Sequence, residues 1–175
     1  MTITEALAEI KTIGKRLEKK KEFVMTYLGR VAMVKDPHEK SGGSEVLITK
    51  EKQAFSDLLD NVIRLRTAIQ RKNLDSPVTI CDVTRTLAEW IVWKREVYPA
   101  HKVLLDQMAA NIAAMRKKAF DSNQVLRREG TEGGDRDILI MVNEKALADE
   151  RERLEQIFGE LDGQLSLKNA VLSID

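Results

Sequence analysis

Val83-Thr-Arg-Thr-Leu-Ala-Glu-Trp90-Ile-Val-Trp93-Lys-Arg-Glu-Val-Tyr98-Pro99 is the stretch on which the fold turns. It reads as the start of a long central helix reaching about Phe120, with Leu87, Ile91, Leu105, Met108, Ile112 and Met115 continuing one apolar face. Asp82 or Thr84 suits the N-cap, because a short side-chain oxygen there accepts a bond from an otherwise unpaired amide. Both tryptophans of the chain lie here, flanked by Arg85, Lys94, Arg95, His101 and Lys102. Pro99 lacks an amide hydrogen and its ring strikes the preceding turn, so the helix is expected to kink or to split in two.

Most apolar positions of that helix need cover from other helices, and the flanking sequence supplies three. Thr2-Ile3-Thr4-Glu5 has the spacing of a capping box. After it Ile3, Leu7, Ile10, Ile13, Leu17, Val24, Leu28 and Val31 predict a helix to about Met33, on the order of 45 Å long. Lys19-Lys20-Lys21 interrupts the stripe and reads as a solvated turn. Residues 35–48 form a polar loop rich in turn formers, closed by Val46-Leu47-Ile48 as a short extended piece before a Thr49 cap. A second helix from about Lys50 to Lys72 buries Phe55, Leu58, Leu59, Val62, Leu65 and Ile69. Arg64, Arg66, Arg71 and Lys72 near its end favour the helix dipole. Pro77 stops it within the turn 73–82, where Val78-Thr79-Ile80 is briefly extended. Beyond the central helix, Gln124–Arg128 and Asp137–Val142 flank Gly130, Gly133 and Gly134, which suggests a small hairpin or extended excursion over 122–142. Asn143 then caps a last helix whose Leu147, Leu154, Ile157, Phe158, Leu161 and Leu165 suit antiparallel bundle or coiled-coil packing. The expected fold is mainly α: an elongated antiparallel helical bundle of coiled-coil hairpins in a single domain, with one small β-hairpin.

Composition bounds the function. The chain has 175 residues, of which 33% are charged, yet its formal net charge is +1. That balance argues against a chain-wide footprint for duplex nucleic acid. Cys81, the one cysteine, cannot form an internal disulfide and reads as an unreactive, partly buried thiol. The opening Met1-Thr-Ile-Thr-Glu lacks a signal-peptide pattern, and no apolar run approaches a membrane span. A soluble, cytoplasmic protein is expected. The two histidines, His38 and His101, stand at no metal-ligand spacing, and the glycine-rich turn lacks the Gly-Lys-Ser/Thr of a phosphate loop. No nucleophile or acid–base pair stands in an activating context. No enzyme, metal or cofactor is expected.

Several short motifs resemble those of the septicolysin-like helical proteins of bacteria and phages, a family without an established function. They are Glu5-Ala6-Leu7 with Lys15-Arg16-Leu17; Ile69-Gln70-Arg71-Lys72-Asn73 followed by Thr79 and Thr86-Leu87-Ala88-Glu89; and Met141-Val142-Asn143 with Glu160-Leu161-Asp162 and Asn169. The chain departs from that pattern at Gln70 and Lys72, where the family has asparagine and threonine. It departs again at Lys94-Arg95, where the family has an arginine–aspartate pair, and at Trp90 and Trp93, where small or polar residues are usual. The resemblance implies an elongated, oligomeric helical fold, and the departures make the local surface more aromatic and basic.

Two functions follow as expectations. In the first, Trp90 and Trp93, neighbours at i,i+3, give a stacking platform with Arg85, Lys94 and Tyr98. Arg71, Arg127, Arg128 and Arg136 close the site around a small anionic ligand such as a signalling nucleotide. A protein that binds in this way without catalysis would sequester its ligand, as a phage-encoded chain in the host cytoplasm could do to a defence signal. In the second, the Trp90–Trp93 helix is the seam of a homo-oligomer, and the protein is structural.

Overall fold

Thr2 starts the first helix as its sequence suggests. Its hydroxyl accepts the Glu5 amide at 3.2 Å, its own amide donates to the Glu5 carboxylate at 2.7 Å, and α1 runs over Ile3–Tyr27. The computed structural model describes residues 1–128 and 138–174, with the backbone alone for 122–128. Within them the chain is mainly α-helical with a small antiparallel β-hairpin, the predicted class. It divides into two compact units: Met1–Ser76 with Leu165–Asp175, and Pro77–Gln164.

In the first unit α1 ends at Tyr27, short of the predicted Met33. Gly29 stands just past the helix end, where its lack of helix propensity favours termination, and Val31 and Met33 are exposed. Lys19–Lys21 lies inside α1 rather than at a turn, with Lys20 bonded to Glu51 at 2.7 Å. The second helix, α2, covers Ser44–Asp75 and so begins six residues before the predicted Lys50. Val46-Leu47-Ile48 is helical, and Thr49 bonds back to the Glu45 carbonyl instead of capping. The reason is a remote cap. Asp36 in the loop accepts the Ser44 amide at 2.9 Å, the Ser44 hydroxyl at 2.6 Å and the His38 amide at 2.8 Å. Gly42 and Gly43, at φ 93° and 89°, give the chain the left-handed backbone that brings Ser44 to that carboxylate. The core joins Ile3, Ala6 and Ile13 of α1 to Leu65 and Ile69 of α2 and to Ile174. With Lys20 against Glu51 further along, the two helices run antiparallel.

The second unit opens with a hairpin where a helix start was predicted. Strands β1 (Pro77–Ile80) and β2 (Val83–Thr86) pair antiparallel, with Ile80 opposite Val83 and Pro77 opposite Thr86. Cys81 and Asp82 make the turn at φ 44° and 64°. Thr86, rather than Asp82 or Thr84, caps the helix, in a second capping box with Glu89. Helix α3 (Leu87–Val92) passes through a π-helical turn, Trp93–Val97, directly into α4 (Tyr98–Arg128). Pro99 therefore does not split the helix. The wider turn before it, in which the Tyr98 amide reaches the Trp93 carbonyl, accommodates the proline.

Gln124–Arg128 belongs to α4, and Ile138–Met141 is not a strand. The β-hairpin described is thus at 77–86, and neither described flank of the excursion predicted over 122–142 is a strand, its Gly130, Gly133 and Gly134 lying outside the described residues. Gln, Leu and Arg are good helix formers, so the run extends α4. The last helix, α5 (Glu144–Val171), starts where predicted, with the Asn143 side chain accepting the Ala146 amide at 3.1 Å. Leu147, Leu154, Ile157 and Leu161 are buried as their spacing requires.

Candidate functional site

The tryptophan segment is brought together, and it is packed. Trp90 is 1% exposed and donates its indole N–H to the Val78 carbonyl of β1 at 2.9 Å. Trp93 meets it edge-on at 5.5 Å, and the Arg85 guanidinium lies 5.2 Å from the Trp90 ring. Tyr98, next to Trp93, stacks on Phe158 of α5 at 4.0 Å and donates to Glu155 at 3.0 Å. Burial, then the bond to that carboxylate, raises the tyrosine pKa. Lys94 is ion-paired with Asp162. Arg85, Trp90, Trp93 and Tyr98 are therefore neighbours, with Lys94 turned to Asp162 and Phe158, and the rings face protein. Arg127 and Arg128 lie at the end of α4, where only the backbone is described, and Arg136 is outside the described residues.

Ion pairs tie α4 to α5 along this unit. His101 faces Glu150 at 2.9 Å, Arg151 bonds Asp106 at 2.7 Å, and Lys102 and Arg116 bond Glu155 and Glu144. Their order, with later α4 residues meeting earlier α5 residues, makes the helices antiparallel. Cys81 has no disulfide partner and is half-buried; burial, followed by the Glu160 charge, raises its pKa, which disfavours a reactive thiolate.

The open cationic surface is in the first unit. Arg64, Thr67, Ala68, Arg71, Lys72 and Asp75 follow one another at 0, 3, 4, 7, 8 and 11, so they share one face of α2. Together with Ser173 and Ile174 they line a groove of about 540 Å³. Thr67 and Ala68 are short, which leaves the space between the longer basic side chains. The opposite wall is fixed by backbone bonds to the start of α1. The Ile3 amide donates to the Leu172 carbonyl at 3.0 Å, the Ile174 amide donates to the Met1 carbonyl at 2.8 Å, and Thr2 bridges Ser173. Burial of the Ile174 side chain in the core holds Ser173 at the rim.

Arg64 bonds the Asn61 side chain at 2.8 Å, while Arg71, Lys72 and Asp75 form no ion pair among the described residues. Among the described residues, three cations and two hydroxyls thus line the groove with one carboxylate, a set suited to holding an oxyanion. Of the residues proposed from sequence, Arg71 is the one in this groove. Arg64 and Lys72 carried a signal as clustered cations, but Thr67, Asp75 and Ser173 carried none.

Among the described residues no group of three or more His, Cys, Asp or Glu side chains is placed to hold a metal ion, and no helix is long and apolar enough to cross a membrane. No family model, curated protein or solved structure matches this chain.

Proposed function

We propose that the protein is a non-enzymatic binder that holds a small anionic ligand in the Arg64–Arg71–Lys72 groove and acts by sequestering it. The observation that carries this reading is the convergence of three cations on one open face of α2, opposite Ser173, in a groove large enough for a small molecule. The cations near the end of α2 also complement its dipole, but Arg64 lies about three turns from the terminus, beyond the reach of that effect. The tryptophan cluster supports the fold of its own unit in this account and does not contact ligand.

Isothermal titration with inorganic phosphate, pyrophosphate and AMP tests the reading. Binding should weaken with added salt and fall about 10-fold in Arg71→Ala, the loss of roughly one charge-assisted hydrogen bond. Arg85→Ala should bind like the parent. Absence of heat with all three anions, or an equal loss in both variants, would overturn the proposal.

One observation favours an interaction role as a second reading. Met108, Ile112 and Met115 of α4 and Leu139, Ile140 and Met141 line a shared apolar groove, in which Leu139 is 79% and Met141 89% exposed. Contiguous exposed apolar surface of this kind marks association sites. A second copy of the chain is the proposed occupant, with this patch as the seam in place of the buried Trp90 and Trp93. Light scattering that returns a monomer at every concentration tested would exclude it.

A further inference from the structure

Asp75 is the odd member of the cationic groove. It stands three residues after Lys72 and four after Arg71, spacings at which helical ion pairs form, yet it pairs with neither among the described residues. A carboxylate beside a bound phosphate is repulsive unless the ligand also presents a hydrogen-bond donor to it. The groove therefore discriminates among anions: it favours one that carries hydroxyls next to its charge. Thr67 and Ser173 add two groups that can both donate to and accept from such hydroxyls. Among the described residues no aromatic side chain lines the groove, so a nucleobase would find no stacking surface there. Its volume of about 540 Å³ exceeds the need of a bare phosphate and falls in the range of small-ligand sites.

We propose that the ligand is a phosphorylated polyol, with its phosphate held by Arg64, Arg71 and Lys72 and a hydroxyl donated to Asp75. This assignment rests on the anion-binding reading above. It narrows that reading from anions in general to sugar phosphates, and away from nucleotides.

The test is calorimetric titration of methyl phosphate, glucose 6-phosphate and AMP into the parent, Asp75→Ala and Lys72→Met. In the parent, glucose 6-phosphate should bind about 10-fold more tightly than methyl phosphate, and AMP no more tightly than glucose 6-phosphate. Asp75→Ala, which removes both the acceptor and the charge, should abolish the preference for the sugar while methyl phosphate binds more tightly, because a repelling charge is gone. Lys72→Met should weaken both phosphates about equally and keep their ratio. Equal affinity for methyl phosphate and glucose 6-phosphate in the parent would overturn the assignment and leave the anion groove standing. Survival of the preference in Asp75→Ala, or AMP as the tightest of the three, would do the same. Heat with none of the three would remove the groove itself.

Discussion

Asp36 shows how much one side chain can decide. Its three hydrogen bonds, first to the Ser44 hydroxyl and then to the Ser44 and His38 amides, hold its carboxyl at about 2, below the ordinary 3.8. A depressed carboxylate stabilises the folded state fully above its unfolded-state value, and that contribution is lost as pH falls from about 3.8 through about 2. The capping carboxylates Glu5 and Glu89, also lowered by bonds to the amides of Thr2 and Thr86, act in the same direction. Melting temperatures measured from pH 5 to pH 2 should fall more steeply for the parent than for Asp36→Asn, which is less stable at pH 5 and lacks that titration. Parallel curves would remove Asp36 from its capping role. Trp90 makes the opposite case, for burial: replacing it with alanine should cost about 3–5 kcal/mol in urea denaturation, because a large side chain and its bond to Val78 are both lost. A change under about 1 kcal/mol would contradict its place in the core.

At the scale of elements, helices with a local signal were legible and those positioned from elsewhere were not. The capping box at Thr2 and the Asn143 cap could be read because each needs only neighbours in sequence. The start of α2 could not, since its cap is a carboxylate eight residues away in the loop. The hairpin is half-visible: Val78-Thr79-Ile80 reads as extended, while Val83-Thr84-Arg85 reads as the start of the helix. Two β-branched runs separated by two residues were the available clue, masked because Cys81-Asp82 is an unusual pair for a turn with positive φ at both positions. That turn gives a prediction. Cys81→Asn combined with Asp82→Gly should raise stability by about 1 kcal/mol in thermal or chemical unfolding, since both replacements accept left-handed backbone more readily. Destabilisation would mean that the turn geometry is held by something other than backbone preference. Pro99 is a helix-breaking signal in the sequence, but the π-helical turn before it lets the chain run on without splitting, and periodicity carries no sign of such a turn.

For the whole molecule, apolar spacing was enough for the fold class and too little for the site. Periodicity names the residues that must be covered; Ile3 and Ile13 of α1, Leu65 and Ile69 of α2 and Leu147, Leu154, Ile157 and Leu161 of α5 are buried, whereas Leu7 and Leu59, assigned to the same stripes, are exposed because two helices packed as a pair cover only a narrow face of each. The aromatic and basic cluster around Trp90 drew attention because its residues are close in sequence. The structure uses its rings as core and pairs Lys94 with Asp162. The groove was hidden because its second wall comes from Ser173, about one hundred residues from Arg71 in sequence, and is brought to α2 by the pairing of residues 172–174 with 1–3 and by Ile174 packing with Leu65 and Ile69. Anion binding should accordingly depend on that wall. Ile174→Asp, which puts a charge into the core that positions Ser173, should weaken phosphate binding as well as lower the melting temperature.

The most direct test follows the arginine side chains themselves. In nitrogen-15 spectra of the arginine Nε–H groups, assigned by single substitutions, titration with phosphate should move the Arg64 and Arg71 signals saturably while Arg85 stays in place. Saturable movement of Arg85 with Arg64 and Arg71 unchanged would contradict the account and return the site to the tryptophan helix.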